Sequence, residues 1–197
     1  MIPEENLFLE KIRSLQKQGD WKSILSLNNE GSLDDFKKRK LLWAWPTEGS
    51  LAFVCAFFSN YRVTGVMSVG CGCGLLEWII QEYSGLEVIG IEVNKEWWES
   101  KYAVTPFIPL TYVNEDFQCP QGFALMFCYF NNGPAFRDYI KRFRGVMVVI
   151  IGPARGAGRH TDPQPFDPDF GQSQWQLEAF QEIRQTKDFI AIYLKRH

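Results

Sequence analysis

Three glycines at alternate positions, Gly70, Gly72 and Gly74, separate an apolar run, Val66-Met67-Ser68-Val69, from a helix-prone one, Leu75-Leu76-Glu77. The pattern reads as a buried strand that turns abruptly into a helix. Glycine suits such a turn for two reasons: the backbone must adopt dihedrals that side chains oppose, and a ligand can then lie directly on the main chain. Few folds other than a layered α/β sheet place a turn of this kind after a buried strand.

The rest of the chain agrees with that reading. Short apolar strands are expected at 65–69, 88–91, 110–113, 124–130 and 146–151, with helices between them at 75–83, 95–102 and 135–143. Alternation of strands and helices implies crossover connections and a parallel sheet covered on both faces. The tail breaks the pattern. A Pro- and Gly-rich loop over 153–173 leads to 175–182, which reads as helical, and then to a strand at 189–195. With no helix after it, that last strand is expected to enter the sheet antiparallel. Ahead of the glycine turn, helical spacing of Leu7, Leu9, Ile12 and Leu15 ends at Gly19. Ser32 with Asp35 resembles a capping box opening a charged helix through Lys40, and Thr47 or Ser50 opens an apolar helix over 51–58. Residues 1–60 therefore read as a helical extension packed on the domain formed by 61–197. The charge run Lys37–Lys40 reads as a solvated helical face, with a nucleic-acid patch or targeting signal as the alternative.

Composition limits the functional classes. A chain of 197 residues fits one domain with a sizeable core. Its net charge of -2 supplies no global attraction for nucleic acid or acidic lipid, although a local basic patch would suffice for RNA. Five cysteines without CxxC spacing suggest a reducing compartment, and the acidic start Met1–Glu5 has no apolar core of a secretory signal. A soluble cytoplasmic location is expected, with the nucleus as the alternative. No membrane span and no metal constellation is expected. Seven tryptophans and sixteen phenylalanines leave room for an apolar interface, so partners and oligomeric state stay open.

Spacing distinguishes the ligand of the glycine turn. A dinucleotide fingerprint, G-x-G-x-x-G, leaves two residues between its second and third glycines, and that third position is Leu75 in this chain. The G-x-G-x-G form, Gly70-Cys71-Gly72-Cys73-Gly74, resembles motif I of the class I, Rossmann-like S-adenosylmethionine-dependent methyltransferases. The resemblance covers about residues 43 to 195 and implies a mostly parallel sheet with an antiparallel C-terminal strand. It implies that the loop wraps the amino-acid part of S-adenosylmethionine, with Ser68, Gly70, Cys71, Gly72, Gly74 and Glu77 in contact range. Glu92 ends the second strand, where an acid accepts both ribose hydroxyls. Asp116 and Phe117 follow the third strand, where the family holds the adenine amino group and ring; Glu115 is the alternative to Asp116. The segment Trp43–Leu51 is similar to a tryptophan- and acid-containing stretch that covers the cofactor's carboxylate end, with Glu48 or Ser50 facing it. A capped core helix explains it equally well.

The sequence departs from the family at two points. Motif I usually has an acid at the position of Ser68, and Glu77 one turn into the helix is the candidate to replace its charge. After the fourth strand, Cys128–Pro134 has an asparagine and a proline but lacks the Asn/Asp-Pro-Pro-aromatic motif of enzymes that methylate amino groups. Reacting groups in open α/β sheets come from loops beyond the C-terminal strand ends. Tyr129 and Asn131, with neighbouring Asn132, and His160 are the catalytic candidates on that ground; Arg155 and Arg159 are candidates to bind a carboxylate or phosphate of the substrate. The expected activity is methyl transfer to an acceptor that is a small molecule, RNA or protein. The alternative is an inactive methyltransferase-like domain that binds or senses.

Overall fold

The computed structural model describes residues 4–29, 38–112, 118–171 and 174–196. Its centre is a seven-stranded sheet: β1 (Gly65–Val69), β2 (Glu87–Glu92), β3 (Leu110–Tyr112), β4 (Phe123–Cys128), β5 (Met147–Pro153), β6 (Trp175–Glu182) and β7 (Asp188–Lys195). The spatial order is β3-β2-β1-β4-β5-β7-β6. Strands β1 to β5 pair in parallel, and β7 lies antiparallel between β5 and β6. Every residue of β1 and β5 is buried, as expected of strands covered on both faces.

Side-chain alternation along these strands separates two cores. Val66, Ala124, Met126, Val149 and Ile192 face one layer with helices α1 (Glu4–Lys17), α2 (Trp21–Ser26), α3 (Glu48–Asn60) and α4 (Leu75–Ser84). Met67, Leu125, Phe127, Val148 and Tyr193 face the other, with α6 (Gly133–Arg142); the short α5 (Lys95–Trp98) lies beyond β2. The N-terminal helices share the first core: Ile12, Ile24 and Leu27 are within 2% of complete burial, so they cannot detach without exposing it. Thr47 caps α3, its hydroxyl accepting from the Ser50 amide at 3.0 Å.

The structure corrects several boundaries. Trp175–Glu182, expected as a helix, is edge strand β6, paired along its length with β7. A register shift between Leu177 and Ala179 hides its alternation, because a bulge swaps which face successive side chains take. The helix expected at 95–102 stops at Trp98, capped at its start by Asn94. The expected capping box at Ser32 and Asp35 lies outside the described residues. Lys38 is not on a solvated face: it is 7% exposed, and its ammonium donates to the Asn28 carbonyl at 3.0 Å.

Strands β1 and β4 lie side by side at the centre of the sheet, and the chain runs outward from them in opposite directions, from β1 to β2 and β3 and from β4 to β5 and β7. That reversal opens a crevice beyond the carboxyl ends of β1 and β4, where the connecting chains part. The glycine turn leaves β1 there, Tyr129 leaves β4 there, and β7, running antiparallel, starts there with Asp188 paired opposite Pro153.

Candidate functional site

The glycine turn is held by main-chain bonds. The amides of Gly70 and Cys71 donate to the Ile91 carbonyl at 2.9 and 3.3 Å, and the Gly74 amide donates to the Cys71 carbonyl at 3.1 Å. All three glycines have left-handed φ, near +68°, +63° and +74° in chain order. Their surroundings differ. A Cβ on Gly70 would lie 2.8 Å from the Phe130 ring, and one on Gly74 would lie 2.6 Å from Ile108 Cγ1. Those two glycines permit close packing. At Gly72 the nearest atom to such a Cβ is Trp98 Cη2, 4.0 Å away. Only Gly72 therefore presents bare backbone to open space, with an indole as the opposite wall.

That space belongs to a cavity of about 210 Å³ lined by Gly70, Cys71, Gly72, Glu77, Trp98 and Tyr129, and closed from the N-terminal side by the segment Lys40–Trp43. Two carboxylates serve it. Glu92, at the end of β2, accepts from the Gly72 amide through Oε1 at 2.7 Å, so its side chain points to the loop. Glu77 sits in the first turn of α4, where the helix dipole favours an acid. It is 1% exposed; Ser68 Oγ donates to its Oε1 at 2.6 Å, while Oε2 has no hydrogen-bond partner. Burial raises its pKa to about 7, against the pull of the Ser68 hydrogen bond. Ser68 thus occupies the strand position where an acid was expected, and holds a carboxylate that arrives from the helix instead.

The other expected site residues scatter. Tyr129 lies at the cavity wall with φ near +51°, its hydroxyl donating to Asp188 Oδ1 at 2.5 Å. Burial and that carboxylate push the phenol far above its ordinary pKa, so Tyr129 donates a proton here and does not accept one. Asp188, 5% exposed, also accepts from Arg159 Nη2 at 3.0 Å. Asn131 is exposed and forms an isolated bridge with Asp162; Asn132 caps α6 through the Ala135 amide at 3.1 Å. Asn132 and Pro134 are therefore explained by the helix start. His160 is exposed beside Gln164, and Arg155 is an exposed partner of Asp167. Neither lines the cavity. Glu48 pairs with Lys22 in solvent, and Ser50 is buried against Thr47. Asp116, Phe117 and Glu115 lie outside the described residues. Sequence reasoning missed Lys40, Trp98 and Asp188. Trp98 had a signal, two adjacent tryptophans just past the β2 acid, whereas Asp188 reaches the site only through the hairpin.

Among the described residues no group of His, Cys, Asp and Glu is arranged to hold a metal ion, and no helix is long and apolar enough to cross a membrane. No family model matches the sequence, and no curated protein matches it. Solved structures do resemble the fold. Magnesium protoporphyrin IX methyltransferase from Synechocystis PCC 6803, solved with bound SAH, superposes with a TM-score of 0.51, covering 84% of this chain and 90% of its own at 9% identity. A protein from Sulfolobus solfataricus described as a type 11 methyltransferase gives 0.50, over 71% of this chain and 89% of its own at 14% identity. Together with the strand order and the single antiparallel strand, these likenesses show that the chain has the class I, Rossmann-like methyltransferase fold.

Proposed function

We propose that this chain binds S-adenosylmethionine in the crevice above β1 and transfers its methyl group to an acceptor. The observation that carries the reading is the buried Glu77 carboxylate, whose Oε2 lacks any donor while the side chain lines a cavity floored by bare backbone at Gly72. A buried carboxylate oxygen without a partner is costly, and an incoming ammonium removes that cost. The cofactor's amino-acid end offers one. Lys40, on the same cavity, supplies the opposite charge for its carboxylate. Glu92 keeps one oxygen on the Gly72 amide and has a second for the ribose hydroxyls. Asp116 and Phe117 are proposed for the adenine on the family resemblance alone.

When bound, the cofactor supplies a methyl group activated on a sulfonium. The chain has to position the acceptor in line with it and keep water out. Trp43 and Tyr129, stacked with centroids 5.2 Å apart, form an apolar wall suited to exclusion. Tyr129, Asn131 and His160 remain proposals as reacting groups. Of these, Tyr129 alone lines the cavity, and its bond to Asp188 suits it to donate a hydrogen bond. That same engagement favours a second reading, a domain that binds the cofactor without turnover, because it leaves the wall without a proton acceptor.

Calorimetry with S-adenosylmethionine, S-adenosylhomocysteine and NAD tests the first reading. The two sulfur nucleosides should bind one per chain and NAD should not; tight NAD binding defeats the proposal. Binding without methyl transfer to RNA, protein and metabolite pools would favour the second reading. Glu92→Ala removes the proposed ribose acceptor and the tether on the Gly72 amide together. Its affinity for S-adenosylhomocysteine should fall by about 1–3 kcal/mol, the usual range for a lost charge-assisted hydrogen bond. An unchanged dissociation constant would place the ribose elsewhere.

A further inference from the structure

A second cavity, of about 260 Å³, adjoins the first and shares Leu42 and Trp43 with it as a common wall. Among the described residues its lining includes Lys38, Arg39, Arg159, Trp45 and one carboxylate, Asp188. Among the described residues, Arg39 and Arg159 together outnumber the one carboxylate. Asp188 is taken by Arg159 Nη2 at 3.0 Å and by the Tyr129 hydroxyl at 2.5 Å. Arg159 keeps a buried Nε without a hydrogen-bond partner. Arg39 is half-buried and has no ion pair among the described residues. A recess with one guanidinium lacking an ion pair among the described residues and a second with a buried unpaired N–H is poorly solvated as it stands. An oxyanion would complete it.

We infer that this second cavity is the acceptor site, and that it takes a small molecule whose carboxylate or phosphate is held by Arg39 and Arg159 while a flat apolar part lies along Trp43. The inference rests on the cofactor reading for its role as acceptor, but the anion site stands on this cavity's own residues. Three features support it. The cavity shares Trp43 and Leu42 with the proposed cofactor space, and the Tyr129–Asp188 hydrogen bond joins a lining residue of one to a lining residue of the other, so a molecule anchored by its anionic end can direct its other end at that wall. Trp43 is 56% exposed despite its stacking on Tyr129, leaving aromatic surface where a planar group can rest. The cations come from separate segments, Lys38 and Arg39 ahead of α3 and Arg159 after β5. A merely solvated helical face would not converge in this way.

The experiment titrates benzoate, phenyl phosphate, acetate and inorganic phosphate into the protein, with and without saturating S-adenosylhomocysteine, by calorimetry. One aromatic anion should bind one per chain at least about tenfold more tightly than its ring-free counterpart, and Trp43→Ala should remove that advantage. Whichever aromatic anion wins separates carboxylate from phosphate. Arg39→Gln should weaken it by about tenfold or more, the loss expected for one charge-assisted contact, while S-adenosylhomocysteine affinity stays within about twofold. Arg159→Gln should act in the same direction; if it fails to fold, Arg39→Gln still decides. The inference is overturned if none of the four anions binds at about 10 mM, or if Arg39→Gln binds the aromatic anion as the parent does. It is likewise overturned if a single-stranded RNA oligomer binds through Arg39 and the small anions do not. Anion binding without S-adenosylhomocysteine binding would defeat the cofactor reading and leave the anion site standing.

Discussion

Replacing Glu77 by glutamine should stabilise the ligand-free protein above neutral pH and weaken S-adenosylmethionine binding about 100-fold, the scale of losing one partner of a buried charge pair. The two effects have one cause. In the folded chain the Glu77 carboxyl is buried and its pKa lies at about 7, against an ordinary value of 4.5. Between those values the folded protein holds a proton that the unfolded chain has released. Stability therefore falls as pH rises from 4.5 to about 7 and levels off above it, by about 3 kcal/mol in all at roughly 1.4 kcal/mol per unit. Glutamine keeps the acceptor for Ser68 Oγ and carries no charge, so urea unfolding of Glu77→Gln should lack that decline. Its amide nitrogen replaces an unpartnered oxygen and stays unpartnered, which returns about 1 kcal/mol of the gain. Cofactor binding has the opposite slope. The ammonium requires the ionised carboxylate, so affinity in the parent should drop about tenfold per pH unit below 7, with proton release on binding, and the variant should lose most of that dependence. Stability and affinity both flat with pH in the parent would show that Glu77 is not the charge that meets the ligand.

Gly72→Val should abolish cofactor binding, by at least about a thousandfold, through a different mechanism. The valine Cβ would lie 4.0 Å from Trp98 Cη2, and its two methyl groups would fill the space between them. The residue also sits at φ +63°, which costs a β-branched side chain about 1–2 kcal/mol of folding stability. Gly72→Ala separates the two contributions, because it carries similar backbone strain and occludes less; its binding should be intermediate. Gly74→Ala is the counterpart. Its Cβ would meet Ile108 Cγ1 at 2.6 Å, so it should unfold at lower urea before it affects the ligand. Normal S-adenosylhomocysteine binding by Gly72→Val would mean that the space above Gly72 serves some other purpose.

Both variants act on residues visible from the linear chain, and the reason is that their signals are local. A run such as Val66–Val69 buries itself on two faces wherever it lies in a parallel sheet. Alternate glycines announce a left-handed turn, and an acid at the end of an apolar run must stand at the strand tip. The mostly parallel sheet, its antiparallel last strand and the place of Glu92 at the tip of β2 follow from such patterns together with the family resemblance, whereas the bond from the Gly72 amide to Glu92 is seen only in the fold. Strand β6 was illegible for a local reason too: its bulge at Leu177–Ala179 breaks the period of two on which strand recognition depends, and its partner lies in the following segment.

Other features exist only in three dimensions. Whether Ser68 lacks a charge or merely borrows one depends on α4 folding back so that Glu77 comes within 2.6 Å of it, nine residues along the chain. Lys38 and Arg39 looked like a solvated face because a charge run carries no information about what will cover it; the extension packs on the sheet and turns them toward Arg159 and Asp188. Burial raises the pKa of an ordinary carboxylate, Glu77, to about 7 and leaves the Nε of an ordinary arginine, Arg159, without a hydrogen-bond partner. Sequence determines which groups are present and which local turns they can make, whereas desolvation and convergence, which set their chemistry, arise only when distant segments close around them.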